Sequence, residues 1–257
     1  MSRVLPISIL LLARDEAPRL ERLLPALGFA RDLVVVVDAA SRDDTRTVAE
    51  RHGARVFERA LEGFGPQRRF ALEQCREDWV LWIDADELLP EDAAERLGAV
   101  IGGTAAVGYR LRRRTWFLGR PIRHCGWRHE RVLRLFRRRE ARFDEAVVHE
   151  QVHVRGRVSD LDLTLEHFSY ETWEDCRRKL FAYAAANAER ARRAGRRARA
   201  ADLVLRPPLR FLRMYLLQLG ILDGARGLAV CALAAAQVFL KYADLWLGRA
   251  DRPDRWR

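Results

Sequence analysis

The sequence predicts an α/β protein built on a parallel sheet, with its ligand site at the carboxyl ends of the strands. Three observations predict it. Residues 7–12 (ISILLL), 33–37 (LVVVV) and 79–82 (WVLW) are short, nearly continuous apolar runs, as strands buried on both faces require. The segments between them have the length and spacing of helices. Each run also ends in a loop bearing acidic residues, where an open α/β sheet binds ligands.

Taken in order, the first run leads into Ala17–Leu27, where Leu20, Leu23, Leu24 and Leu27 share one helical face. A helix over Asp43–His52 and a strand at Arg55–Phe57 follow the second run. Pro66 suits the first turn of a helix running to about Cys75, because the N–H that proline lacks is unpaired there anyway. Trp79–Ile83 is the next strand and Pro90–Ile101 the next helix. After Gly102-Gly103 the pattern changes to short β-like pieces rich in arginine: VGYRL, VLRLF, VVHEQVHV and LDLTL within 106–165. A long helix is predicted from Glu171 to Ala194. Beyond it, Leu203–Leu247 is apolar with interspersed Arg and Lys. The chain thus divides into an α/β domain over 1–168, with halves 1–103 and 104–168, and a helical appendage over 169–257.

At 257 residues the chain accommodates one large α/β domain with such an appendage. The net charge of +11 is carried almost wholly by arginine. It suits an anionic partner: nucleic acid, an acidic membrane face or a phosphorylated substrate. A GC-rich genome would also enrich arginine. The four cysteines lie far apart without C-x-x-C spacing, so neither a zinc site nor a disulfide frame is expected, and a reducing cytosol is. Met1-Ser2-Arg3-Val4 runs straight into a strand, and no signal peptide is expected before it.

The most informative loop is Ile83-Asp84-Ala85-Asp86-Glu87, directly behind the third apolar run. Carboxylates at i and i+2 on an extended backbone share a face, so Asp84 and Asp86 can turn towards one hard cation. Mg²⁺ or Mn²⁺ held this way fills its other positions with water and substrate phosphates. Such pairs also occur in ordinary strand-end turns. Two further loops follow the earlier strands: Ala13-Arg14-Asp15-Glu16, and Asp38 to Thr45, in which Ser41 and Asp43 are also natural turn and N-cap residues. Gly63-Phe64-Gly65-Pro66-Gln67-Arg68 leads into a helix whose N-terminus suits a pyrophosphate.

This order of segments resembles the family 2 inverting glycosyltransferases of GT-A fold, a Rossmann-like nucleotide-sugar-binding sheet. The nearer resemblance is to bacterial lipopolysaccharide core-biosynthesis glucosyltransferases. Gly63 to Arg68 resembles their Gly-aromatic-Gly-x-Gln-Lys/Arg segment, and Asp84-Ala85-Asp86-Glu87 their metal motif. Arg134-Leu135-Phe136-Arg137, Val148-His149-Glu150 and Arg210 to Tyr215 resemble their later segments. The resemblance implies that 1–103 binds the nucleotide and 104–168 faces the acceptor. It implies donor-sugar contacts from Arg14, Glu16, Asp38, Asp43, Gln67, Arg68, Asp84 and Ala85, with Asp84 and Asp86 on the metal. The donor implied is a UDP-hexose such as UDP-glucose, and the acceptor a lipid-linked glycan of the lipopolysaccharide core. Transfer to a polyprenyl phosphate is the nearer alternative, and a basic nucleic-acid-binding protein the alternative of another class. The chain departs from the family at Asp15 (commonly Asn), Ala39-Ala40 (Ser-Gly) and Arg69 (Asn). It also lacks the Pro-Asp often found after Trp127, so the likeness reaches further on the donor side than on the acceptor side.

An inverting transferase needs a base near the acceptor hydroxyl. Glu150 is the candidate, with Asp144 and Glu145 as rivals; His149, His153 and His167 read as structural. Between Arg110 and Arg142 stand 13 arginines against Glu130 and Glu140, which suits an acceptor bearing phosphate or carboxylate. Trp127, Arg131 and Arg134 are the acceptor-binding candidates. The aromatics here form no recognised RNA-binding pattern, so nucleic acid is not expected as a partner. Leu203–Leu247 contains no transmembrane span by uninterrupted apolar length: Leu228–Leu240 is short and includes Gln237. Its mixture of Arg with Leu, Phe, Met and Tyr instead suits helices on an anionic cytosolic leaflet, at the inner face of a bacterial plasma membrane. Packing onto the rest of the protein is the other reading.

Overall fold

The computed structural model describes residues 4–103, 106–144 and 152–247. They form two units, one of residues up to Arg113 with Arg131–His167, the other of Arg114–Glu130 with the chain from Phe168.

In the first unit, β1 (Leu5–Ala13), β2 (Ala30–Asp38), β3 (Arg55–Arg59) and β4 (Trp79–Trp82) form a parallel set in the order β3-β2-β1-β4. Successive strand side chains point to opposite faces, and each face is covered. Ile7, Ile9 and Leu11 of β1, Val35 and Val37 of β2, and Trp79 and Leu81 of β4 enter one apolar cluster. Leu10, Val34, Val36, Val80 and Trp82 enter the other. That is why these runs are apolar throughout rather than alternating. Helices α1 (Ala17–Leu23) and α4 (Ala93–Ile101) bury Leu20, Leu23 and Leu97 against the first cluster, and α3 (Phe64–Gln74) buries Ala71 and Leu72 in the second. Helix α2 covers Thr45–Arg51.

Helices α1 and α2 are shorter than predicted, for local reasons. Pro25 lacks an N–H, so α1 gives way at Leu23 to a 3₁₀ turn over Leu24–Leu27. Asp43 accepts the Thr45 N–H at 3.0 Å, leaving α2 to begin at Thr45. Beyond β5 (Glu87–Leu88), the sheet continues through β6 (Gly108–Phe117), β8 (Arg131–Arg137) and β11 (Val158–Tyr170), with β7 (Arg120–Pro121) paired to β6; the whole order is β3-β2-β1-β4-β8-β6-β11-β5. The short strands β9 (Ala141–Phe143) and β10 (Val152–Val154) form a separate pair.

The second unit is mainly helical. Its α5 (Trp173–Arg193) starts at a capping box in which Thr172 and Asp175 bond each other's backbone N–H. Then come α6 (Ala200–Leu212), a π-helical turn (Arg213–Leu217), a 3₁₀ turn (Gly220–Asp223) and α7 (Gly224–Leu247). Phe117, Ile122, Cys125, Cys176, Met214, Val230 and Cys231 form its core. All four cysteines are buried and free, and burial pushes the Cys75 thiol up to about 12. Gly220–Leu247 is long and apolar enough to cross a membrane, with a mean hydropathy of 1.5 over its most apolar window. Averaged hydropathy and uninterrupted apolar length give different readings of this segment, because Gln237 breaks the run without lowering the average much.

Candidate active site

The strand order marks the place. From β1 the chain builds β2 and β3 to one side, then crosses to lay β4 on the other, which opens a crevice at the carboxyl ends of β1 and β4. Register then chooses the neighbours. Ala13 is level with Val37, so the next residues, Arg14 and Asp38, lie side by side: Arg14 Nη1 donates to Asp38 Oδ2 at 3.2 Å. Asp38 also accepts from the N–H groups of Ala40 (3.1 Å) and Leu61 (3.4 Å). Gln67, on α3, is buried and donates to the Arg59 carbonyl at 3.1 Å.

The loops after β1 and β2 interlock. Asp15, at φ 52°, donates its N–H to Ser41 Oγ (2.9 Å) and accepts the Arg42 N–H (2.7 Å). Asp43 accepts from the N–H of Ala17 (3.0 Å) and from the Thr45 hydroxyl, while the Glu16 N–H donates to Thr45 Oγ1 (2.8 Å). Partial burial opposes the Asp43 charge, but these hydrogen bonds hold its carboxyl below the usual range. The Glu16 carboxylate accepts from Arg19 Nη1 at 3.1 and 2.9 Å.

Behind β4, two guanidiniums converge on Trp82 and Asp84. The Cζ atoms of Arg68 and Arg134 lie 4.0 and 4.1 Å from the Trp82 ring centroid, within cation–π range. Asp84 Oδ1 accepts from Arg68 Nη2 (3.0 Å) and Trp82 Nε1 (3.0 Å), and Oδ2 accepts from Arg134 Nη2 (2.6 Å). Arg134 Nη2 also donates to Glu87 Oε1 at 2.5 Å, and Glu87 Oε2 accepts the Asp84 N–H at 3.0 Å. Burial disfavours the Asp84 charge, yet Arg134 and Arg68 outweigh it and hold the carboxyl far below the usual range. For Glu87, completely buried, burial wins and the carboxyl is raised despite Arg134.

Asp84 and Asp86 therefore have different surroundings. Both oxygens of Asp84 are engaged by arginine, so it does not present a bare ligand edge. Asp86 Oδ2 lies 3.4 Å from His167 Nε2. Antiparallel pairing of β11 with β5, His167 opposite Glu87, brings the imidazole there. An oxygen and a nitrogen donor side by side fit a divalent cation that completes its shell with phosphate and water. Among the described residues no group of three or more such ligands occurs. His167 read as structural in the sequence; a partnership made by strand pairing leaves no local spacing signal.

Of the remaining sequence candidates, Ala85 is buried in the first apolar cluster. Arg134, expected on the acceptor side, is instead buried beside Asp84. Arg131 pairs with Asp160 (Nε–Oδ2 3.4 Å). Trp127 belongs to the second unit, where it stacks on Tyr170 with centroids 6.4 Å apart and lines a cavity of about 180 Å³ with Phe117, Tyr183 and Arg210. Glu150, with Val148, His149 and Glu145, lies outside the described residues; the rival Asp144 sits 3.7 Å from His153 Nε2.

Residues 8–155, more than half the chain, match the family model described as Glycosyl transferase family 2. The chain belongs to that family and is a glycosyltransferase, and its α/β sheet is of the GT-A class. It is 28% identical over 254 residues to the lipopolysaccharide core biosynthesis glycosyltransferase LpsC of Rhizobium meliloti (strain 1021), covering 93% of this chain and 94% of that one. An uncharacterized glycosyltransferase of Rickettsia felis is 37% identical over 91 residues, 35% of this chain and 32% of that protein. Among solved structures, S. aureus TarS 1–349 aligns over 70% of this chain and 65% of that chain, with 16% identity and a TM-score of 0.47.

Proposed function

We propose that this glycosyltransferase moves a hexose, with inversion, from a UDP-hexose such as UDP-glucose to a lipid-linked glycan of the lipopolysaccharide core, at the cytosolic face of the bacterial plasma membrane. Asp38 at the end of β2, together with the Arg68–Asp84 pair and the Asp86–His167 pair behind β4, supports the reading. Asp38, oriented by Arg14 and two backbone N–H groups, accepts from the uracil or ribose; the Glu16 and Asp43 loops support it. Arg68, oriented by Asp84 and the Trp82 face, offers positive charge to the diphosphate, and Gln67 steadies the segment that carries it. Asp86 and His167 would hold Mg²⁺ or Mn²⁺, which neutralises charge on the departing diphosphate. Glu150 is proposed as the base that takes the acceptor hydroxyl proton, with Asp144 and Glu145 as rivals. The arginines around Arg131, and Trp127, are proposed on the acceptor side. Similarity to LpsC over nearly the whole chain supports the choice of acceptor.

The test is thermal stabilisation by nucleoside diphosphates with and without Mn²⁺, followed by transfer from labelled UDP-glucose to lipopolysaccharide core and, separately, to polyprenyl phosphate. UDP-selective stabilisation and a labelled core are expected. Label on polyprenyl phosphate alone would move the reading to that acceptor, and indifference to all nucleotides would overturn it.

A further inference from the structure

Helix α6 buries none of its 13 residues. Its apolar side chains are nonetheless ordered: Leu205, Leu209, Leu212 and Leu216 recur at i, i+4, i+7 and i+11, one continuous stripe that runs on into the π-helical turn. They are 57%, 61%, 47% and 50% exposed, and Leu217 beyond them is 81% exposed. Arg206, Arg210 and Arg213 follow one residue behind the first three leucines and form a second stripe beside them, all exposed. Arg206 is steadied by Asp202 one turn back (Nε–Oδ1 2.5 Å). Among the described residues no ion pair engages Arg210 or Arg213. A second set of cations gathers where α6 meets α7: Arg206 Cζ and Lys241 Nζ each lie 5.0 Å from the Tyr242 ring centroid. Burial and the charges of Arg196, Arg206 and Arg190 hold the Lys241 amine below its usual range, consistent with excess positive charge in that corner.

We propose that α6 and the π-helical turn lie in the plane of an anionic phospholipid surface. The leucine stripe enters the acyl boundary, and Arg206, Arg210 and Arg213 meet headgroup phosphates. The charge beside the apolar stripe selects this occupant: a second copy of so basic a chain would bring like charges together, whereas a lipid surface supplies both anions and an apolar layer. In-plane lying, rather than insertion of α7 across the bilayer, follows from α7's own partner. Asp244, near its C-terminus, pairs with Arg192 of α5 (3.1 Å), a helix that also carries Arg190 and Arg193. A spanning α7 would pull that charge from water or lose the pair. The proposal deepens the membrane setting of the proposed function and rests on it in that respect alone.

The test is flotation of the full chain with phosphatidylcholine vesicles and with equal mixtures of phosphatidylcholine and phosphatidylglycerol, at low and high salt. The wild type should float with the mixed vesicles, less so at high salt. Leu209→Glu with Leu212→Glu should weaken this more than roughly tenfold. The triple variant Arg206→Gln, Arg210→Gln, Arg213→Gln should weaken binding to anionic vesicles by roughly 100-fold. Both variants should keep the wild-type Tm and the wild-type response to UDP. A solvatochromic dye on Leu217→Cys, selective because the native cysteines are buried, should shift to the blue with mixed vesicles. Flotation of the leucine variant at wild-type strength overturns the proposal. So does failure of the wild type to float, whether it instead forms a dimer that the leucine variant dissolves or is retained by RNA. Loss of the UDP response with flotation intact would count against the proposed function and leave the docking surface standing.

Discussion

Asp84, Asp86 and Arg134 show how much a side chain's role depends on its neighbours. Asp84 and Asp86 look equivalent in a linear motif, but one anchors two arginines and the other faces an imidazole. Arg134 is 3% exposed between Asp84 and Glu87, so Arg134→Met should leave the buried Glu87 and the part-buried Asp84 without their shared cation and cost about 3–5 kcal/mol, read from urea unfolding. Asp84→Asn tests the same cluster by pH. The folded-state carboxyl titrates below its ordinary value of 3.8, so its stabilisation is present above that value and lost as pH falls towards the folded value. The gap in urea midpoint between wild type and Asp84→Asn should therefore be full near neutrality and narrow in acid. A gap independent of pH would remove the ion-pair account. Asp86→Ala and His167→Ala should each leave Tm unchanged while abolishing the part of UDP affinity that requires Mn²⁺, measured by calorimetry; normal Mn²⁺ dependence in both would assign the cation elsewhere.

At the level of elements, two interlocked loops and the start of α7 are the points where a single side chain matters most. Asp43 joins the turn after β1 to the turn after β2, so Asp43→Ala should loosen both. Its exposure limits the stability loss to on the order of 1 kcal/mol, while UDP affinity should fall more, because Arg14 and Asp38 sit between those turns. Calorimetry and thermal unfolding on the same variant separate the two effects. In the second unit, Gly227→Ala would place a Cβ 1.9 Å from the Gly220 carbonyl oxygen. Replacing a helical glycine with alanine ordinarily favours the helix by about 1 kcal/mol. Here the sign should reverse, and a lowered Tm is the expected result.

Over the whole molecule, the ligand is the clearest probe of the first unit. UDP with Mn²⁺ at 100 times its Kd should add about 2.7 kcal/mol of stability, and chelation of the metal should remove the metal-dependent part. On the proposed reading the second unit answers to a different solvent. The exposed leucines of α6 with Arg210 and Arg213 make it the part of the chain whose behaviour should change with vesicles rather than with nucleotide.

The sequence by itself determined the parallel strands, the loops at their carboxyl ends and the positions of Asp38, Arg68 and Asp84-Ala85-Asp86. Burial on both sheet faces writes continuous apolar runs, and the residues ending those runs are local to them. Tertiary structure alone decided that Arg134 and His167 join those loops. Both arrive on β8 and β11, antiparallel strands contributed by distant sequence, and register across a sheet is set by the packing of its two faces rather than by any spacing along one strand. It also decided which side chains of α6 stay outside. The leucine and arginine periodicities can be read in the sequence, but a periodic apolar stripe is written the same way whether a core or a lipid surface covers it, and only the packing of the neighbouring helices left this one uncovered.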